Sequence, residues 1–383
     1  MAMVIRVVLA IAAAMATGAA PAANAPWRLS GDVRVGTLHS ERVARDGAGS
    51  SDDELRSRIR LAADVAMGER WNFRARAASR PSSAQDGMRA YVRGPAPESG
   101  GAAAGDTTLD EFYFERGRGE GQWWLRAGRF QSRFDLQGVA AKSLDRNDSP
   151  NMDVNWTDGL HVRYDGLPGW RVHGVLERNA SRFPSSVRRP PLDFSRNPAG
   201  PGVFLGLEAA QRAGPVVQRM VSVTWLPDAL AIQGLTSPAR SDYIAITARA
   251  AVAFLESGSG RRILLGGEIG QAPKTPYRSA LGLDGGGRVG GKAWQAALSF
   301  EQFRPGHSLG VVLGRAQAGW LLSPDFRNND RLAELRYQWR LNSDWSIEAR
   351  VREREELHVP ASALRPRRDR DAYLRLSGRF TGP

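Results

Sequence analysis

From Leu55 to Leu61 the chain reads Leu-Arg-Ser-Arg-Ile-Arg-Leu. In an extended strand Arg56, Arg58 and Arg60 share one face while Leu55, Ile59 and Leu61 share the other. The same period returns at Trp345 to Arg354, where Trp345, Ile347, Ala349 and Val351 alternate with Ser346, Glu348, Arg350 and Arg352, and again from Ala372 to Phe380. A chain built from such segments is all-β. The alternation suits a soluble sheet with its apolar side inward or a barrel with its apolar side outward, and other features of the sequence separate the two.

The amino terminus supplies the first. Arg6 in a short basic start, an apolar run from Val7 to Ala16 and an Ala- and Pro-rich stretch to residue 25 have the layout of a secretory signal peptide. The run is shorter than the roughly 18 to 20 residues of a helical span, so residues 1–25 are expected to direct export and the mature chain to begin near 26. Ala20-Pro21-Ala22 and Ala23-Asn24-Ala25 are rival cleavage sites. No later apolar stretch reaches helical-span length, and cysteine is absent, so an exported chain must hold itself together by packing and backbone hydrogen bonds. A closed sheet does both.

Alternation marks strands near 27–36, 55–66, 70–78, 108–116, 122–131, 158–164, 170–178, 218–226, 229–235, 242–255, 262–271, 291–301, 308–317, 331–341, 345–354 and 371–380, about sixteen in all. Every other connection is short and rich in turn residues, among them Met67-Gly68-Glu69, Asp165 to Gly169, Pro227-Asp228, Arg304-Pro305-Gly306 and Asn342-Ser343-Asp344. The rest are long, near 79–107, 132–157, 179–217 and 272–290. That meander predicts a transmembrane antiparallel β-barrel with short periplasmic turns and long extracellular loops. Trp71, Phe73, Trp123, Trp170, Trp339 and Trp345 lie beside the short turns, where tryptophan suits a membrane interface.

The closing segment, Ala-Tyr-Leu-Arg-Leu-Ser-Gly-Arg-Phe, resembles the terminal strand signal of bacterial outer-membrane barrels, although Thr381, Gly382 and Pro383 follow its aromatic residue. The mature chain resembles Gram-negative porins. Leu125-Arg126-Ala127-Gly128-Arg129-Phe130, Ser143-Leu144-Asp145-Arg146 and Asp158-Gly159-Leu160 look like segments of the phosphate-selective porin O and P family. That resemblance implies a sixteen-stranded trimeric outer-membrane channel for small anions, in contact with membrane lipid and lipopolysaccharide. It also implies a conduction path prominent in lysine, and here this chain departs, since its only lysines are Lys142, Lys274 and Lys292.

With the apolar side outward, the other face lines water. On the first three strands this face carries Arg28, Arg34, Arg56, Arg58, Arg60, Arg74 and Arg76, and on the last three Arg336, Arg340, Arg350, Arg352, Arg375 and Arg379. Closure of the last strand on the first joins them into one wall, with neighbours on a strand face roughly 6.6 Å apart. Asp32, Asp64, Glu334 and Glu348 share their parity and temper the charge. The net charge of +13 on an exported chain points to anions or lipid phosphate and away from nucleic acid. By resemblance to general porins, the third loop, near 131–157, is expected to fold into the barrel with Asp135, Asp145, Asp148 and Asp153 facing the arginine wall as a constriction.

Other readings of the same residues are a calcium site in that loop, a plugged structural barrel and an outer-membrane hydrolase. The loop spacing fits no EF-hand template. His161 and His173 share lumen parity on neighbouring strands, but no Gly-x-Ser-x-Gly elbow or metal-protease spacing accompanies them. No catalytic residue, metal or cofactor is therefore expected.

Overall fold

In the computed structural model the described residues are 27–84, 89–90, 104–117, 122–178, 189–194, 201–258 and 260–382; the expected signal peptide lies outside them. Sixteen long strands form one sheet: β1 (Trp27–Val43), β2 (Gly49–Met67), β3 (Trp71–Ser79), β4 (Asp106–Arg116), β5 (Trp123–Phe130), β6 (Thr157–Leu167), β7 (Trp170–Arg178), β8 (Pro201–Ala209), β9 (Val216–Ala231), β10 (Arg240–Phe254), β11 (Arg262–Gln271), β12 (Lys292–Arg304), β13 (His307–Ala316), β14 (Asp330–Arg340), β15 (Trp345–Glu356) and β16 (Arg368–Thr381). Each pairs antiparallel with its neighbours in sequence, and β16 pairs with β1 from Ser30↔Thr381 to Val43↔Arg368. The barrel is closed. No helix among the described residues is long and apolar enough to cross a membrane, and the one helical element is a 3-10 turn at Arg278–Leu281.

Closure follows from the alternation. Along β16 the outward positions are Leu374, Leu376 and Phe380, and along β2 they include Leu61 and Met67, which are about half exposed. Thirty or so such side chains leave the outer surface apolar, the reverse of a water-soluble protein, and suit it to hydrocarbon. Trp71, Trp123, Trp170 and Trp339 face outward at the short-turn end. Gly31 lies where the Phe380 ring crosses β1, and a Cβ there would stand 2.1 Å from that ring.

Two neighbouring expectations needed correction. Pro227-Asp228 is no turn. It is a bulge inside β9, where the register slips between Leu226 and Leu230 and Asp228 takes φ 50°. Proline lacks the N–H a ladder needs, and the bulge accommodates it while the Asp242 carboxylate accepts from the Asp228 N–H at 3.0 Å and from Trp225 Nε1 at 3.0 Å. The strand missing from the sequence reading is β8, inside the stretch 179–217 expected to be a loop. It escapes the alternation because Gly202, Phe204 and Gly206 face inward while Val203, Leu205 and Leu207 face outward, so the inner face is polar only at Glu208. The two corrections cancel in the strand count.

The interior is divided. The third long loop and the segment 317–329 between β13 and β14 supply Leu136, Leu144, Trp320, Leu322 and Phe326 to an apolar core, which packs on inward Tyr243, Ala245, Ala293, Val312 and Leu332. Trp320 lies flat on Gly270, where a Cβ would stand 2.6 Å from its ring. The inner face of β1 and β14–β16 carries charged side chains instead.

A closed barrel of this kind resists detergent until heated. The unboiled protein is expected to run ahead of the boiled protein on a denaturing gel; identical mobilities would count against a membrane barrel.

Candidate functional site

The segment 131–156 leaves β5 and crosses the interior, stiffened by a two-stranded pairing of Arg133–Phe134 with Arg146–Asn147. Its anchors reach most of the wall. Ser299 Oγ on β12 accepts from the Val139 N–H at 3.0 Å, and Glu268 on β11 accepts from the Leu144 N–H at 3.0 Å. Arg146 donates to Glu177 on β7 at 2.9 Å. Arg58 on β2 donates to the Asp153 carbonyl at 3.1 Å, while Arg34 on β1 and Arg375 on β16 both donate to Asn151.

Charge holds the loop where apolar packing does not. Asp145 accepts from Arg249 at 2.7 Å, from Ser222 at 2.6 Å and from Thr247 at 2.9 Å, and Arg249 also meets Glu268 at 2.9 Å, all fully buried. Burial pushes the Asp145 carboxyl up, but Arg249 and the hydroxyls outweigh it and hold it below its ordinary value. On the far side Lys142 is buried between Glu334, at 2.8 Å, and Asp325, at 3.7 Å. Burial pushes its ammonium down to about 8, against the pull of the two carboxylates.

Between this loop and the wall formed by β14–β16 and β1 lies a cavity of about 760 Å³. Its lining runs from Arg42, Asp52 and Arg370 at the long-loop end to Arg379 near the short-turn end of β16. Thirteen arginines and Lys142 line it against seven carboxylates, so cations dominate.

Of the arginines singled out in the sequence, Arg34, Arg56, Arg336, Arg350, Arg352, Arg375 and Arg379 border this cavity. Glu348 holds Arg375 at 2.9 Å and takes a bond from Tyr373, while Asp371 holds Arg350 and Arg352. The one carboxylate within 4.0 Å of Arg34 among the described residues is Asp32, at 3.8 Å. The remaining arginines do not border it. Arg58 is covered by the loop, Arg60 and Arg76 converge on Asp110 at 2.9 and 2.8 Å, and Arg74 bridges Asp64 and Glu111 at 2.7 and 2.6 Å. Arg28 and Arg340 are exposed at the short-turn end. The contiguous wall of the sequence reading is thus two: a cation-rich one on β14–β16 and β1, and a charge-balanced one on β2–β4.

The loop acids also depart from expectation. Asp145 turns to Arg249, away from the arginine-rich wall, and Asp148 accepts from the Ser132 N–H at 2.9 Å and Thr157 at 2.8 Å within the loop base. Asp135 pairs with Arg133 at 2.8 Å, and only Asp153 borders the cavity. The reason is burial, since an inward-folded carboxylate needs a partner and the nearest unsaturated cations lie elsewhere. What meets Arg34, Arg58 and Arg375 is the loop's backbone carbonyls and the Asn151 amide. The scattering of the acids also breaks up the calcium set, and no cluster of three potential metal ligands occurs among the described residues.

His161 and His173 do meet, at 3.2 Å, and His173 reaches Glu208 at 3.0 Å. Phe134 packs edge-on against both rings and stacks on Phe204, 4.6 Å between centroids, tying the start of the loop to β6–β8. Arg189, Arg327 and Arg354 were missed by the sequence reading yet border the cavity at its long-loop end. Arg354 had a signal, because it continues the parity of Arg350 and Arg352. It donates to the Asp325 carbonyl at 2.8 Å and has no carboxylate within 4.0 Å among the described residues.

No protein-family model matches the sequence, and no curated protein matches it. Among solved structures, OprB of Pseudomonas putida superposes with a TM-score of 0.60 at 12% identity, covering 93% of this chain and 94% of that one. OmpF of Salmonella typhi, in complex with daunomycin, gives 0.55 at 9% identity over 92% and 97%, and OpdQ of Pseudomonas aeruginosa gives 0.51 at 11% over 94% and 99%. The chain shares with them the fold of a porin-like sixteen-stranded barrel.

Arg249→Ala would strand Asp145 and Glu268 as buried, uncompensated carboxylates. It is expected to cost about 3 to 5 kcal/mol, read as earlier protease cleavage within 131–156 and a lower temperature for the mobility shift on gels. Wild-type behaviour would show that Arg249 does not hold the loop.

Proposed function

We propose that the chain is an outer-membrane channel through which small anions diffuse passively, and that their path is the cavity beside the inward-folded loop. The observation that carries this reading is the excess of arginine over carboxylate along a cavity whose lining reaches from the long-loop end almost to the short-turn end. Arginine offers bidentate hydrogen bonds to carboxylate and phosphate, and successive guanidiniums favour transfer of an anion along the wall. Residues 1–25 act as the export signal, and the barrel sits in outer-membrane lipid beside lipopolysaccharide, as a homotrimer by resemblance to porins.

The loop closes on the arginine-rich wall where Asn151 meets Arg34 and Arg375. The opposing surface there is carbonyl and amide in place of carboxylate, so the field across it is weaker than between opposed full charges and anions are not repelled. Phosphate is one candidate solute, from the resemblance to phosphate-selective porins; small carboxylates suit the same guanidiniums. A plugged structural barrel is the second reading, favoured by the apolar core that fills the side of the lumen facing β9–β14. Nothing in the His161–His173 pair supplies a nucleophile, and the chain is read as non-catalytic.

Under a salt gradient in a planar bilayer, the reversal potential is expected to have the sign of anion preference. Cation preference would sink the arginine argument, and no conductance at all would favour the plugged barrel. The triple substitution R34Q/R350Q/R375Q is expected to lower the anion-to-cation permeability ratio to roughly half or less, whereas R60Q/R74Q/R76Q, in the balanced network, is expected to leave it nearly unchanged. Equal effects from both triples would place the path elsewhere.

A further inference from the structure

The outer surface carries a group of cations that the channel does not use. Lys292 on β12, Arg315 on β13 and Arg331 on β14 all have outward parity at the long-loop end, and Arg315 stands directly opposite both Trp294 and Arg331 in the ladder. Like charges facing each other across a strand pair destabilise a sheet. Charges on the outer face of a barrel are tolerated only near the interface. Arg331 reaches Glu355 at 2.9 Å, but neither Lys292 nor Arg315 has a carboxylate within 4.0 Å among the described residues, and Arg315 Nε is buried without a partner.

The neighbouring strands at the same end behave differently. Arg368 and Arg370 on β16 face outward too, and both are matched by Glu353 and Glu355 on β15 at 2.9 to 3.6 Å. Outward cations are thus matched across β15 and β16 but stand in excess across the three adjacent strands β12–β14.

Beside it, on the other flank of Trp294, the outer surface is hollowed into an apolar groove of about 630 Å³ that runs toward Trp170 at the short-turn end. Its floor is Ala248, Ala250 and Gly267, where a Cβ built on Gly267 would meet nothing nearer than a carbonyl at 3.8 Å, and Ile269 and Trp294 rise beside it. Flat apolar barrel surface suits disordered lipid tails. A groove running away from a cationic group suits one lipid with an anionic head and ordered chains.

We infer that Lys292, Arg315 and Arg331, with the groove between Trp294 and Trp170, form a binding site for a phosphorylated glycolipid of the outer leaflet, the phosphates on the cations and an acyl chain in the groove. The site rests on the reading of the chain as an outer-membrane barrel. Two opposed guanidiniums and an ammonium match a headgroup with two phosphates better than one with a single phosphodiester.

The test uses the full-length protein in a neutral detergent, with the midpoint temperature of its gel-mobility shift followed during titration with bisphosphorylated lipid A, monophosphorylated lipid A or phosphatidylglycerol. Bisphosphorylated lipid A is expected to raise the midpoint at the lowest concentration. K292Q/R315Q is expected to weaken its apparent affinity at least tenfold, while R368Q/R370Q leaves it within about twofold. G267L, which fills the groove and has room outward, is expected to weaken it with the cations intact. Equal affinity in wild type and K292Q/R315Q, or equal binding of phosphatidylglycerol, would overturn the site. So would a change of oligomer size in these variants without a change in lipid affinity, which would make the patch a contact between copies. Absence of any mobility shift before lipid is added would instead overturn the barrel reading beneath it.

Discussion

The pairing of β1 with β16 is the constraint from which the remaining architecture follows. In hydrocarbon a backbone N–H or C=O has no water to turn to, so a sheet placed there must have no edge. Fourteen residue pairs from Ser30↔Thr381 to Val43↔Arg368 remove the edge. Once the sheet is closed, every strand has one face in lipid and one in the interior, and the period of two becomes compulsory wherever the interior is wet. The interior then collects nearly all the charge of the barrel wall, and the placement of anions and cations within it becomes the main variable left to the sequence.

That variable is used unevenly. On β2–β4 each inward arginine has its carboxylate, as with Arg74 between Asp64 and Glu111. Toward β9–β14 the inward positions are small or apolar and receive the folded-in loops, whose own charges are neutralised one by one, Asp145 by Arg249 and Lys142 by Glu334. Among the described inward residues it is along β14–β16 and β1 that cations outnumber their partners. Space explains the difference, because ions sealed under the loop must be matched while ions bordering a cavity of about 760 Å³ have room for water beside them.

How far the sequence disclosed this depended on whether a strand's two faces differ. Trp345 to Arg354 could be read because lipid takes one face and charge the other. Pro201–Ala209 could not, because Phe204 packs inside against Phe134 between two glycines and leaves Glu208 as the one polar side chain of that face. Pro227 mimicked a turn because the residue that forbids a ladder bond is the same whether the chain reverses or bulges. In the site, parity told which side of the wall each arginine is on but not what covers it. Arg58 and Arg34 have identical parity, yet one is sealed under the loop and the other borders the cavity. The loop acids were unreadable for the same reason, since their partners Arg249 and Thr157 are set by tertiary approach across up to about a hundred residues of chain.

The loop's anchors have a consequence for the order of assembly. Asn151 is gripped by Arg34 from the first strand and Arg375 from the last, which become neighbours only when the barrel shuts. Before that moment the two guanidiniums are far apart, and the loop can rest on Glu177, Arg249, Glu268 and Ser299 but Asn151 has no clamp. The loop's last contact is thus a late event that follows the slow, long-range joining of the chain's ends. A barrel stalled open would leave the turn at Asn151 unheld, so the same contact that sets the loop against the arginine-rich wall also distinguishes a closed molecule from an open one.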